Sequence, residues 1–323
     1  MPATLDPVSM SPAPAPRAAV IPPLTCAKHP VDPGHVGLLA DCTPLLNDRA
    51  ALLAHVERHG YLYFPGFHPR DEVVAGRRLF IDKLRDADAL DPAHDLMAGV
   101  LRTPAKAPGF AGGRLDALFP DDWPILDQIL YGPRMMNFFA ALFGEPALHY
   151  DYTWTRQVNP GPATPIHSDV VYMGRGTHEL FTVWTPFGDN SFDVGGLILL
   201  EGSNRHPGLA KAYWQSDVDA YCENKPDGRA WAKSWGTGGM LKGGPAQVRR
   251  SLKLDRWLTA DYRMGDVVIF PVYTVHGGTD NHTSRVRLST DTRYQRATAA
   301  TDDRWVGPNP PAHGPAAKRG LIC

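Results

Sequence analysis

The chain lacks most of what would tie it to a membrane, an oxidising compartment or a polyanion. No run of about 18 apolar residues occurs in its 323 residues, so no membrane-spanning helix is expected. The opening Met1-Pro-Ala-Thr-Leu-Asp6 has no basic stretch leading into an apolar core, as a secretory leader would. Cysteine is scarce: Cys26, Cys42, Cys222 and Cys323 form no CxxC pair, so neither a disulfide framework nor a thiolate zinc site is expected. A reducing, cytoplasmic setting fits that usage. The 33 basic and 34 acidic residues leave a net charge of −1, which gives no field to attract nucleic acid or anionic lipid. No internal repeat is visible. A small-molecule partner and a monomer or homodimer are the expectations left for a chain long enough to bury a substantial core.

Residues 1–40 are rich in proline and alanine, as in Ser11-Pro-Ala-Pro-Ala-Pro16, and are expected to form a flexible arm. Beyond them the residues fall into a helical part and a strand-rich part. Leu46, Leu52, Leu53 and Val56 share helical spacing over Thr43 to His59, and Gly60 stands where such a helix would end. Further helices are expected from His68 to Asp86 and from Trp123 to Leu142, the latter broken at Gly132-Pro133. From Ala147 the period changes to two, with strands expected at Leu148–Val158, Glu179–Pro186, Gly196–Leu200, Arg263–Phe270 and Arg285–Tyr294. Helices followed by a block of strands indicate an α+β chain dominated by β, closing as a sandwich or barrel with the helices on one sheet. One domain over residues 41–323 is expected. It would carry a long insertion at 206–261 that reads equally as a lid and as a solvated loop.

The chemistry centres on Pro165-Ile-His-Ser-Asp169. In an extended segment His167 and Asp169 would point the same way. A second imidazole could come from His276, behind the apolar run Asp266-Val-Val-Ile-Phe-Pro271. Two histidines and a carboxylate on one side of a metal form the facial triad of non-haem iron(II) oxygenases, which leaves positions open for reacting ligands. The triplet alone is weak, since His149-Tyr-Asp151 repeats it inside a strand-like run where a structural role is the better reading. Past His276, strict alternation sets Arg285, Arg287, Ser289, Asp291 and Arg293 on one strand face. A guanidinium pointing into a barrel needs an anionic partner: a dicarboxylate co-substrate, or simply Asp291.

In order and spacing, five segments resemble the phytanoyl-CoA dioxygenase-like (PhyH) family of Fe(II)/2-oxoglutarate-dependent oxygenases. They are Gly60-Tyr-Leu-Tyr-Phe-Pro-Gly66, His167-Ser-Asp169, Val183-Trp-Thr-Pro186 through Gly195 to Arg205, Gly265 to His276, and Arg287-Leu-Ser289. The resemblance covers roughly Thr43 to Tyr294 and implies a double-stranded β-helix, a relative of the jelly roll and cupin folds. It implies iron(II) on His167, Asp169 and His276, the distal carboxylate of 2-oxoglutarate on Arg287 and Ser289, and Trp184 and Gln157 beside the co-substrate. It also implies O2 as oxidant and hydroxylation of an unactivated C–H bond with release of succinate and CO2. Halogenating relatives replace the triad carboxylate with a small residue, so Asp169 favours hydroxylation. Tyr152, Arg156, Tyr172 and Arg175 are candidate substrate contacts near the expected mouth, as are Trp214, Trp231 and Arg249. Two other classes stay open. A cupin-type metal enzyme without 2-oxoglutarate would use the triad but not Arg287, and a non-catalytic jelly-roll binding module would use the histidines structurally.

Overall fold

In the computed structural model, described for residues 20–323 except 104–108, 111, 229 and 231–236, two sheets form the core of a double-stranded β-helix. In chain order their strands are β1 (Val36–Leu38), β2 (Leu62–Phe64), β3 (Ala147–His149), β4 (Trp154–Val158), β5 (Phe181–Pro186), β6 (Leu197–Leu200), β7 (Trp257–Thr259), β8 (Val267–Pro271), β9 (His276–Gly278) and β10 (Arg287–Arg296). The larger sheet runs β2–β8–β5–β10–β3, with β4 also paired to β10, and the smaller runs β9–β6–β7–β1. Helices α1 (Arg49–His59), α2 (Arg70–Asp86), α3 (Trp123–Leu130) and α4 (Pro133–Phe143) cover the outer face of the larger sheet.

Local chemistry sets the helix ends. The Asp48 side chain accepts the Ala51 amide and starts α1, while Gly60 ends it in the left-handed region at φ 84°. A side chain at Gly60 would also meet Asn204 Oδ1 at 2.8 Å. The Gly132-Pro133 break separates α3 from α4 as expected, because proline has no amide to give and suits a first turn. Phe139 of α4 stacks on Tyr294 of β10 with ring centres 4.1 Å apart, docking the helices on the strand that carries the arginines.

Strand β10 explains how a polar sequence is buried on both faces. Leu288 and Tyr294 point toward the helices, and the alternate residues Arg287, Ser289, Asp291 and Arg293 point into the barrel; all six are buried. The barrel interior is thus lined with charge from one strand.

Four expectations are corrected. The arm does not reach residue 40: β1 joins the smaller sheet beside β7, and Leu24, Cys26, Val31 and Leu39 are buried, while residues 1–19 lie outside the described residues. The run Leu148–Val158 is two strands, because Asp151 to Thr153 leave the sheet and hydrogen-bond Trp305 and Gly113 instead. The insertion expected over 206–261 contains β7, which pairs with β6, so its irregular part ends before Trp257. Cys222 and Cys323 form a disulfide across 101 residues of sequence, a spacing that no short motif reveals.

Candidate metal centre and co-substrate cleft

His167 lies in an isolated bridge directly opposite His276, the first residue of β9, and the two exchange backbone hydrogen bonds. Only His167 of the triplet is extended; Asp169 sits at the start of a short helix, Val170–Met173, so a turn rather than a continuous strand aims the carboxylate. The result is a compact set. Asp169 Oδ1 lies 3.5 Å from His167 Nε2 and 3.7 Å from His276 Nε2, and the three ligand atoms are within 4.8 Å of one another. Neighbouring ligands at right angles with bonds of about 2.1 Å would stand about 3 Å apart, so Asp169 Oδ1 is within a small contraction of that spacing from each imidazole.

Both imidazoles are oriented as a metal requires. His167 Nδ1 is 2.8 Å from the Pro165 carbonyl and His276 Nδ1 is 3.0 Å from the Thr274 carbonyl. A carbonyl can only accept, so each Nδ1 carries a proton, and each ring turns its Nε2 toward the centre. Burial, and then the neighbouring His167, lower the pKa of His276 to about 4, which keeps it neutral. Burial alone would raise the pKa of Asp169, but Arg293, His276 and His167 outweigh it and hold the carboxyl well below the usual range. Its Oδ2 accepts from Thr182 Oγ1 at 2.6 Å and from Arg293 Nη2 at 2.9 Å.

A cleft opens beside the triad, and its lining includes His167, His276, Trp184, Arg287, Ser289 and Asp291. The strand register explains the grouping: Trp184 of β5 and Trp154 of β4 flank Asp291 of β10, and Arg156 faces Ser289. Arg287 is 5% exposed, and its Nη1 donates to the Thr279 carbonyl at 2.8 Å. Its Nε has no partner, and among the described residues no carboxylate lies within ion-pair distance of it. Burial lowers its pKa to about 10. A buried guanidinium with an orphaned donor, aimed into a cleft next to three metal-type ligands, fits the far carboxylate of a chelating dicarboxylate.

The other expected residues divide. Arg156 lines the cleft, with Nε donating to Asp291 Oδ2 at 2.7 Å. Tyr172 sits edge-on to His167 at 5.6 Å, with its hydroxyl buried and unpartnered. Gln157 does not join them: the register sets it opposite Leu288, on the face turned from Arg287, where it donates to Asn159. Arg175 is a structural brace that binds Asp217 and the Ala317 carbonyl, and Arg249 likewise binds Asp32. Tyr152 packs between Trp154 and Trp305 outside the cleft lining. Trp214 donates to Ser168 Oγ and Tyr213 accepts the Ser168 amide, so this part of the 206–261 segment holds the turn between the two triplet ligands. Trp231 lies outside the described residues. His149 stacks on Tyr131 at 4.0 Å and Asp151 accepts the Gly307 amide, which makes the other His-x-Asp triplet structural. Thr182 gave no signal in the sequence, whereas Arg293 was visible only as one of several residues on a charged face.

The sequence profile of the phytanoyl-CoA dioxygenase (PhyH) family matches residues 56–289, most of the chain and every residue of the triad and arginine cleft up to Ser289. The chain belongs to the PhyH family. As a PhyH-family member it is an iron(II)- and 2-oxoglutarate-dependent oxygenase. Among proteins of known activity it is 25% identical over 288 residues to a 1-deoxypentalenic acid 11-beta-hydroxylase of Streptomyces exfoliatus, covering 86% of this chain and 92% of that enzyme. Its fold is shared with EctD from S. alaskensis, solved with 2-oxoglutarate and 5-hydroxyectoine (TM-score 0.55, 15% identity, 96% of this chain and 99% of EctD). It is shared also with the carbocyclase SnoK from nogalamycin biosynthesis (TM-score 0.52, 17% identity, 77% and 84%).

Proposed function

We propose that this PhyH-family protein hydroxylates an unactivated C–H bond of a small or medium-sized metabolite, taking one oxygen atom of O2 while the other leaves in succinate, with loss of CO2. The observation that carries this reading is the meeting of the His167–Asp169–His276 set with the unmatched guanidinium of Arg287 in one cleft. Iron(II), when bound, supplies the oxidising chemistry, which no side chain here could provide. His167 and His276 offer Nε2 and Asp169 offers Oδ1 to the metal, and Arg287 orients the co-substrate by its distal carboxylate, with Ser289 beside it. Trp184, stacked edge-on to Tyr262 at 4.7 Å, closes one wall and excludes water. A metal enzyme without 2-oxoglutarate would leave the Arg287 guanidinium buried with no anion to offset its desolvation, which disfavours that alternative.

The reading extends to the substrate. Arg156 is fixed at Nε by Asp291, while its side chain remains 38% exposed against 12% for Asp291. Its Nη edge is therefore free to receive a carboxylate at the cleft mouth, and the hydroxylase relative named above acts on an acid. The test is substrate-stimulated succinate formation across paired carboxylic acids and their methyl esters. Stimulation by acids over esters, lost in Arg156→Ala, is expected. Stimulation by neither, or equally by both, would refute the anchoring by Arg156.

A further inference from the structure

The carboxylate of Asp169 has two oxygens with different tasks. Oδ1 faces the two imidazoles, at 3.5 and 3.7 Å. Oδ2 is turned away and takes two hydrogen bonds, from Thr182 Oγ1 at 2.6 Å and from Arg293 Nη2 at 2.9 Å. The two donors are opposed residues of paired strands, Thr182 of β5 and Arg293 of β10, so sheet register sets the spacing between them.

Arg293 is itself immobilised. It is 2% exposed, its Nε lies 3.0 Å from Met173 Sδ, its Nη1 donates to the Thr292 carbonyl, and its guanidinium lies over the Trp154 ring at 4.5 Å. Every one of these contacts is made within the protein. Arg293 also does not line the cleft that Arg287 does, so it cannot serve as a second co-substrate clamp.

We propose that Arg293, with Thr182, is a positioning residue that keeps Asp169 a one-oxygen metal ligand by occupying Oδ2. This rests on the site binding iron(II) and 2-oxoglutarate, as proposed above. The physical reason is a count of positions. Two imidazoles and one carboxylate oxygen would hold an iron(II) ion on three protein ligands and leave its other positions to the co-substrate and the oxidant. Were Asp169 free to rotate and offer both oxygens, it would take one of those positions. A short neutral bond alone would not prevent this, because a doubly charged cation competes strongly for the second oxygen. A fixed guanidinium adds charge to the competition, and its planar edge is something a lysine ammonium cannot reproduce. Partners that orient metal ligands typically matter by about 10–100-fold in metal affinity or activity.

The test compares wild type, Arg293→Met, Arg293→Lys and Thr182→Val, each first checked for folding by circular dichroism. Anaerobic iron(II) binding is measured by calorimetry, and the visible band that develops on adding 2-oxoglutarate is recorded. Iron(II) affinity is expected to fall about 10–100-fold in Arg293→Met, with a shifted band, and several-fold in Thr182→Val, with Arg293→Lys recovering part of the loss. A purely structural role would change thermal stability and leave the band where it is. If Arg293→Met does not fold, Thr182→Val decides: affinity and band equal to wild type would overturn the proposal. Wild-type affinity and an unshifted band in folded Arg293→Met would overturn it too. Failure of the wild type itself to bind iron(II) and 2-oxoglutarate would instead overturn the reading of the site, which keeps the two failures apart.

Discussion

His167 and His276, far apart in the chain, pair through both backbone groups, with amide-to-carbonyl distances of 2.9 and 2.8 Å in the two directions. Their side chains are thereby placed by sheet pairing and not by loop conformation, and the ring centres come to 4.3 Å. The two imidazoles are held before any metal arrives. Asp169 is placed differently, by a turn and by its contact with Arg293, and the two kinds of support predict different consequences of mutation.

For the triad, His276→Ala should abolish iron(II) binding yet shift the thermal midpoint of the metal-free protein by only a few degrees, since the backbone pair survives. Asp169→Ala should also abolish binding, but at a cost of about 3–5 kcal/mol in stability, because Arg293 would be left buried and unpaired. Thermal unfolding of both variants without metal checks this. Equal stability in the two would show that Arg293 does not depend on Asp169.

For the co-substrate, Arg287→Lys should raise the 2-oxoglutarate concentration needed for half-maximal turnover at least tenfold while iron(II) binding stays unchanged, since a point charge cannot replace the planar fork. Gly278→Ala should act the same way more weakly: an added Cβ there would come within 3.0 Å of Arg287 Nη2. Steady-state kinetics with 2-oxoglutarate varied measures both. An unchanged requirement in Arg287→Lys would exclude Arg287 as the clamp.

How far the sequence carries can be judged from these same residues. That His167, Asp169 and His276 meet, with Arg287 lining the cleft beside them, is legible because each sits at the edge of a well-marked strand or beside a proline-rich turn, where period and punctuation agree. The resemblance places Gln157 beside the co-substrate, whereas β4 pairs so that Gln157 faces Leu288; one residue of register reverses the face of a strand, and nothing local to Thr155–Asn159 fixes it. Residues 20 to 40 read as arm because composition averages over a window, whereas β1 contributes only three residues and is stabilised by pairing with a strand more than two hundred residues away. The Asp169–Arg293 contact is tertiary throughout, and no spacing in one dimension could reveal it.

Acid stability should be governed in part by His68. It is 1% exposed, and burial, with the nearby Arg134, lowers its pKa to about 3 from an ordinary 6.5. The unfolded chain therefore takes up a proton near pH 6.5 that the folded chain refuses until about pH 3, so stability present above pH 6.5 is lost as pH falls through that window. Each pKa unit is worth about 1.4 kcal/mol. Chemical denaturation at pH 7 and pH 4.5 should show a smaller loss in His68→Phe than in wild type; identical losses would remove His68 from the account.

The Cys222–Cys323 disulfide closes the end of the chain onto the strand Ala220–Cys222, where Arg319–Leu321 pairs in parallel. Beside it, buried Asp219 gathers Arg304, His313 and Lys318. Reduction, or Cys323→Ser, should lower stability by about 2–4 kcal/mol and increase proteolysis near the C-terminus, with iron(II) affinity unchanged. A midpoint that does not respond to reductant would show that the charged cluster alone holds the tail.

His167, Asp169, His276 and Arg287 together would assemble a single iron and 2-oxoglutarate site. The most direct measurement is anaerobic titration of the metal-free protein with iron(II) and then 2-oxoglutarate, followed in the visible region. A weak charge-transfer band that saturates at one equivalent of each ligand, and is absent from His276→Ala, is the expected result. No band in the wild type at saturating iron(II) and 2-oxoglutarate would contradict the account.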